Sequence, residues 1–144
     1  MIAFFDASAL IYLIEGAEPF ASRVKAELSN AAAKYPDLGA AVSRLSWLEC
    51  RVRPLRQNDN ATLSQFDAFF SRPDLVWVEI DQTVIEFATV IRVRHGLRTA
   101  DAMQAACCLQ LGKQHLFFTG DAEFLKVAGL NVRLLVDANP IMTI

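Results

Sequence analysis

Short apolar runs alternate with longer stretches in which apolar residues recur every three or four positions, and the alternation continues along the whole chain. Ile2-Ala3-Phe4-Phe5 predicts a short buried strand, and Ala7 to Glu15 an apolar helix stopped by Gly16. Pro19 to Lys34 reads as a second helix, with Phe20, Val24 and Leu28 at helical spacing and Pro36 beyond its end. Ala40 to Ser43 predicts a strand, followed by a helix from Trp47 to about Arg53 that Pro54 ends or kinks. Thr62 to Ser71 is a helical segment carrying Phe66, Phe69 and Phe70, and Asp74 to Ile80 a strand. Two further helices, Thr83 to Arg94 and Thr99 to Leu111, stop at Gly96 and Gly112. Leu116 to Thr119 is a strand, Ala122 to Ala128 a short helix closed by Gly129, and Val132 to Val136 a last strand. Strands separated by helices of this length predict an α/β protein whose mainly parallel sheet is covered on both faces. There is no internal repeat, low-complexity tract or linker.

Composition narrows the class. At 144 residues the length suits a single domain spanning 1–144, large enough to hold a core without disulfides or structural metal. The chain is 53% hydrophobic with mean hydropathy +0.28, rich for a free monomer, so part of its apolar surface is expected to meet a partner, with the helices from Ala7 to Lys34 and the Phe66/Phe69/Phe70 helix carrying the surplus. Net charge is −2, so any nucleic-acid contact must come from a local patch rather than a global basic field. The first residues lack a basic leader, and no apolar run approaches a bilayer span. A cytoplasmic protein without membrane contact is the expectation. Cys50, Cys107 and Cys108 have no C-x-x-C spacing and read as small reduced core residues; with only His95 and His115 beside them, a zinc site is not expected.

The informative chemistry is acidic. Asp6, Glu49, Asp101 and Asp121 each fall where a helix is predicted to begin, and three of them directly follow strand-like runs. In an alternating strand–helix protein the carboxyl ends of parallel strands share one edge, where ligands bind. Four carboxylates gathered there repel one another unless a positive charge intervenes. A hard divalent cation, which prefers oxygen ligands, is the natural filler. Each acid also has a second reading. Asp6 and Asp121 suit helix N-caps; Ser46 and Glu49 have the S-x-x-E capping-box spacing; Asp101 suits the positive end of a helix capped by Thr99. Capping alone explains helix starts without explaining four acids, and a carboxylate directly after Phe4-Phe5 needs a partner. Other acid-bearing α/β folds fit poorly. A haloacid-dehalogenase-type phosphatase needs Asp where Ser8 stands, and a response-regulator receiver needs an acidic pair after its first strand. Neither GxxxxGK[ST] nor GxGxxG occurs.

Taken in order, FFDASALIYLIEG, SRLSWLE, TADAMQAA and FFTGDAEF give the chain a clear resemblance to PIN domains, and specifically to the VapC-type toxins of bacterial toxin–antitoxin pairs. The resemblance implies a three-layer α/β/α fold with a mainly parallel central sheet of four to five strands. It implies a Mg2+- or Mn2+-dependent ribonuclease acting on RNA, usually a homodimer, inhibited by a cognate antitoxin. The family's acidic metal-site positions correspond to Asp6, Glu49, Asp101 and Asp121, and its hydroxyl position to Thr119, with Ser8 beside the first acid. Asp6 and Asp101 would be principal ligands, and Glu49 and Asp121 ligands through water or to a second ion. Ser8 and Thr119 would orient them. Glu123 is a further acid near Asp121.

Among the basic residues, Arg51 near Glu49 and Arg98 near Asp101 are candidate RNA contacts, set against the ordinary role of arginines on solvated helix faces. His95 and His115 read as ordinary polar residues, and the aromatic residues as core or interface. Two other functions stay open: an RNA-processing nuclease with the same site but no antitoxin, and a non-catalytic nucleic-acid- or partner-binding domain whose acids are structural.

Overall fold

A computed structural model describes residues 1–137; the last seven residues of the expected 1–144 domain lie outside the described residues. The elements run β1 (Ile2–Phe5), α1 (Ala7–Glu15), α2 (Phe20–Lys34), β2 (Gly39–Ser43), α3 (Arg44–Arg56), α4 (Asn60–Phe70), β3 (Leu75–Val78), α5 (Gln82–His95), α6 (Thr99–Gln110), β4 (His115–Thr119), a short 3-10 helix (Ala122–Lys126) and β5 (Val132–Leu134). Among the described residues the five strands are all parallel, in the order β3-β2-β1-β4-β5. The chain builds outward from β1 to β3, then crosses back to place β4 on the other side of β1. A crevice therefore opens between the carboxyl ends of β1 and β4, where the winding reverses.

Strand alternation divides the core. Ala3, Phe5, Leu116 and Phe118 face α1 to α4, whereas Phe4 and Phe117 face α5 and α6. The register pairs Phe4 with Phe117 and Phe5 with Phe118, and the rings stack at 5.5 and 5.3 Å across the two central strands. Phe66 and Phe70 close the first core, with Phe69 packed against it. Ala102, Ala105, Ala106, Cys107 and Cys108 bury α6 in the second, where small side chains bring the helix close to the sheet.

Several local readings are corrected by the structure: the strand expected over Asp74–Ile80 spans only Leu75–Val78, and Arg98 rather than Thr99 stands at the start of α6. The helix expected from Trp47 starts at Arg44 and continues through Pro54 to Arg56. Ser43, the last residue of β2, is extended (ψ 155°) and caps it by accepting from Ser46 N at 3.3 Å. The predicted Ser46–Glu49 capping box does not form, because the chain turns into the helix directly at the strand end. Glu49 lies more than a turn inside. The segment expected as a helix to Ala128 is a 3-10 turn ending at Lys126, and β5 ends at Leu134 rather than Val136. Finally, large exposed apolar side chains lie mainly on α3 (Trp47, Leu48, Val52, Leu55) and α5 (Ile85, Phe87, Val90, Val93). The helices between Ala7 and Lys34 bury their apolar stripes against each other and the sheet. Among the described residues no helix is long and apolar enough to cross a membrane.

Candidate active site

Asp6 leaves β1 with extended backbone (φ −77°, ψ 176°) and caps α1, its Oδ1 accepting from Ala9 N at 2.9 Å and from Ser8 Oγ at 2.7 Å. The capping and site readings therefore describe one carboxylate. Its Oδ2 accepts from Thr119 Oγ1 at 2.5 Å, across the crevice between β1 and β4. Asp6 is 4% exposed, and among the described residues it has no cation in hydrogen-bond contact. Burial outweighs the three hydrogen bonds and pushes its pKa up from 3.8 to about 6.

The chain after β4 is locked to the chain after β1. Thr119 Oγ1 accepts from Asp121 N at 3.0 Å while donating to Asp6, and Gly120 N donates to Ser8 Oγ at 2.9 Å. Glycine is required there: a Cβ at Gly120 would sit 2.5 Å from the Tyr12 hydroxyl, and Tyr12 is held by stacking on Phe20 at 4.7 Å. Asp121 accepts from Glu123 N at 2.9 Å, again combining a cap with a place in the cleft. Glu123 itself is exposed and paired with Lys126 at 2.6 Å.

Asp101 and Glu49 arrive from α6 and α3. Asp101 stands in the first turn of α6, where Arg98 occupies the N-cap position without a side-chain cap bond. Arg98 Nε donates to Asp101 Oδ2 at 3.1 Å, and its Nη2 lies 3.7 Å from Asp121 Oδ2. One exposed guanidinium thus spans two of the acids. Glu49 Oε1 accepts from Gln104 Nε2 at 3.2 Å. Burial, together with the neighbouring negative charges, raises the pKa values of Glu49 and Asp101, against the lowering effect of their hydrogen-bond donors.

Asp6, Ser8, Glu49, Arg98, Asp101, Gln104 and Asp121 line one cleft of about 270 Å³, so the four acids converge. Of the larger hollows, those of about 420 and 440 Å³ along α5 and α3 are mainly apolar. Among the described residues no three acids, histidines or cysteines are drawn together into a ready-made metal cage. The donor set nevertheless suits a hard cation: all four acids offer oxygen donors, three of the four carboxyls are destabilised as anions, and Arg98 already supplies positive charge between Asp101 and Asp121.

The remaining candidates separate. Arg98 lines the acidic cleft, whereas Arg51 lines the α3 hollow, over the Trp47 ring at 4.5 Å and with Nε 3.3 Å from Asp67. His95 borders the α5 hollow, and His115 Nε2 accepts from Asn131 N at 3.1 Å. Neither histidine reaches the acids. Sequence reasoning missed Gln104, Ser43 and Ser46, a buried polar group behind Glu49. One signal existed: Gln104 follows Asp101 by three residues on the same helix face and is the lone amide in an alanine- and cysteine-rich run.

By sequence, no curated protein matches the chain. Among solved structures, VapBC2 from Rickettsia felis bound to a DNA fragment from its promoter is similar at 15% identity and TM-score 0.72, covering 93% of this chain and 98% of that one. VapBC-1 from nontypeable Haemophilus influenzae is similar at 16% identity and TM-score 0.68, with 95% and 100% covered. A toxin–antitoxin complex from Klebsiella pneumoniae is 23% identical at TM-score 0.60, with 94% and 98% covered. The fold is shared at full length despite low identity. The PIN domain profile matches residues 3–130, from inside β1 to just short of β5, and the chain belongs to the PIN-domain family.

Proposed function

We propose that the protein is a metal-dependent endoribonuclease and the toxin of a type II, VapBC-like toxin–antitoxin pair, formed by one PIN-like domain over 1–144. The observation that carries this reading is the convergence of Asp6, Glu49, Asp101 and Asp121 in one cleft at the sheet's reversal point. Membership of the PIN family and structural likeness to proteins named as toxin–antitoxin complexes support it. A cognate antitoxin as partner, a homodimer and a cytoplasmic location belong to the same proposal.

Asp6 and Asp101 would be the principal ligands of Mg2+ or Mn2+, with Glu49 and Asp121 completing the set. When bound, the ion supplies activation of water and neutralisation of phosphate charge. The protein's own part is orientation. Ser8, Thr119 and the Ala9 amide hold both oxygens of Asp6, so its rotamer is set before any ligand arrives. Arg98, tethered among the described residues by two ion pairs, is free to exchange a carboxylate for an RNA phosphate. No cysteine serves as nucleophile, since burial holds all three thiols protonated. Ser8 and Thr119 give their hydroxyl protons to Asp6.

Purified protein free of antitoxin should cleave RNA with magnesium or manganese and be silent in EDTA, and Asp6→Asn and Asp101→Asn should each lower turnover by orders of magnitude. Undiminished cleavage in EDTA, or wild-type turnover in either mutant, overturns the proposal. RNA bound but never cut favours the non-catalytic reading. A nuclease with no small antitoxin gene adjacent favours the RNA-processing reading.

A further inference from the structure

Gln104 stands where the composition of α6 calls for an alkyl side chain. Its neighbours Ala102, Ala105, Ala106, Cys107 and Cys108 are buried and apolar, and Gln104 is itself only 2% exposed. A buried amide without partners is costly, so its presence requires a set of matching groups. That set is on α3 and at its cap. Gln104 Oε1 accepts from Ser43 Oγ at 2.8 Å, and Nε2 donates to Ser46 Oγ at 2.9 Å and to Glu49 Oε1 at 3.2 Å.

The network fixes which way the amide points. Ser43 Oγ accepts from the Ser46 amide as the α3 cap, which leaves its proton for Gln104 Oε1. A flipped amide would set its oxygen against the Glu49 carboxylate, acceptor to acceptor. The nitrogen must therefore face Glu49. Among the described residues Glu49 Oε1 has this donor and Oε2 has none, although both belong to a residue lining the acidic cleft. Asp101 lies three residues before Gln104 on the same face of α6, so one helix carries both an acid of the site and the group that holds another acid.

We infer that Gln104 is a positioning residue of the site: it clamps Glu49 Oε1 from behind, with Ser43 and Ser46 as its supports, and so aims the free oxygen of Glu49 into the cleft. The inference rests on the reading of Glu49 as one of the metal-binding acids. A purely architectural amide, filling the gap between β2 and α6, would act through fold stability and not through Glu49.

The test is Mn2+ binding followed by the loss of the free-ion electron paramagnetic resonance signal, in wild type, Gln104→Met, Glu49→Gln and the double mutant. Methionine keeps length and volume without the hydrogen bonds. Gln104→Met should weaken Mn2+ binding by roughly 10- to 100-fold, the usual effect of losing a group that orients a ligand. In the Glu49→Gln background the same change should alter binding by less than about twofold, since the clamp has no carboxylate left to aim. Binding within about twofold of wild type in Gln104→Met, or an equal loss in both backgrounds, overturns the inference. If Glu49→Gln itself leaves binding unchanged, the Glu49 assignment fails and the inference with it, which is distinct from failure of Gln104 alone. Should melts show Gln104→Met unfolded at the assay temperature, Gln104→Asn takes its place. It keeps an amide that falls one methylene short of Glu49, and it must show the same dependence on background.

Discussion

Asp6→Asn should stabilise the metal-free protein near neutral pH while abolishing its activity. Among the described residues Asp6 is buried, accepts three hydrogen bonds and has no cation among its hydrogen-bond partners, so its ionised form is held at a cost. Its pKa is pushed from 3.8 to about 6. For an acid whose folded pKa is raised, the native state keeps the proton longer than the unfolded chain does. Stability is then greatest below the unfolded value and declines as pH rises through the folded one, here from about pH 4 to about pH 6, and is level above. At about 1.4 kcal/mol per pH unit, the interval amounts to about 3 kcal/mol. Asparagine keeps the acceptor for Ala9 and Ser8, and Thr119 can rotate to accept from the new amide; weaker bonds to a neutral group return about 1 kcal/mol. A net gain of about 2 kcal/mol at about pH 8 shifts the melting temperature upward by roughly 4–8 °C. Near pH 4.5 the gain should vanish. The assay is a set of urea or thermal unfolding curves in EDTA from about pH 4.5 to 8, taken as mutant minus wild type so that the similarly raised Glu49 and Asp101 cancel. Magnesium at one hundred times its Kd should then add about 2.7 kcal/mol to wild type and less to the mutant. A mutant less stable than wild type at every pH, or a difference that does not change between pH 4.5 and 7, refutes the claim that Asp6 is an uncompensated buried carboxylate.

Two further outcomes follow from the same geometry. Arg98→Ala removes the cation that pairs with Asp101 and Asp121, so Mn2+ measured by calorimetry should bind severalfold more tightly, while RNA binding weakens and its salt dependence falls by about one ion; unchanged affinity for both excludes a role for Arg98 as stand-in cation. The apolar faces of α3 and α5 leave Leu48 57% and Val93 81% exposed, so wild type should sediment as a dimer at micromolar concentration and Leu48→Asp with Val93→Asp as a monomer. A wild-type monomer, or a variant that stays dimeric, removes these faces as the interface.

Much of this is legible in the sequence, because the signals are short-range. Gly16 and Gly96 end their helices with left-handed backbone, Asp6 caps the helix it precedes, and Ile2 to Phe5 forms a strand because no polar residue interrupts it. All of these depend on residues a few positions apart. The four acids could be picked out for the same reason, each standing beside a predicted strand end or helix start. What neighbours along the chain do not determine is which strand ends adjoin. Only the β3-β2-β1-β4-β5 order sets Thr119 against Asp6 and Gln104 against Ser43 and Glu49, contacts made across 113, 61 and 55 positions of chain. The same long-range packing turned Ser43 into the cap of α3, carried Glu49 inside that helix, and left the surplus apolar surface on α3 and α5 rather than on the first two helices. Capping and periodicity are energies of one or two turns, whereas burial is decided by what the rest of the chain places opposite each side chain.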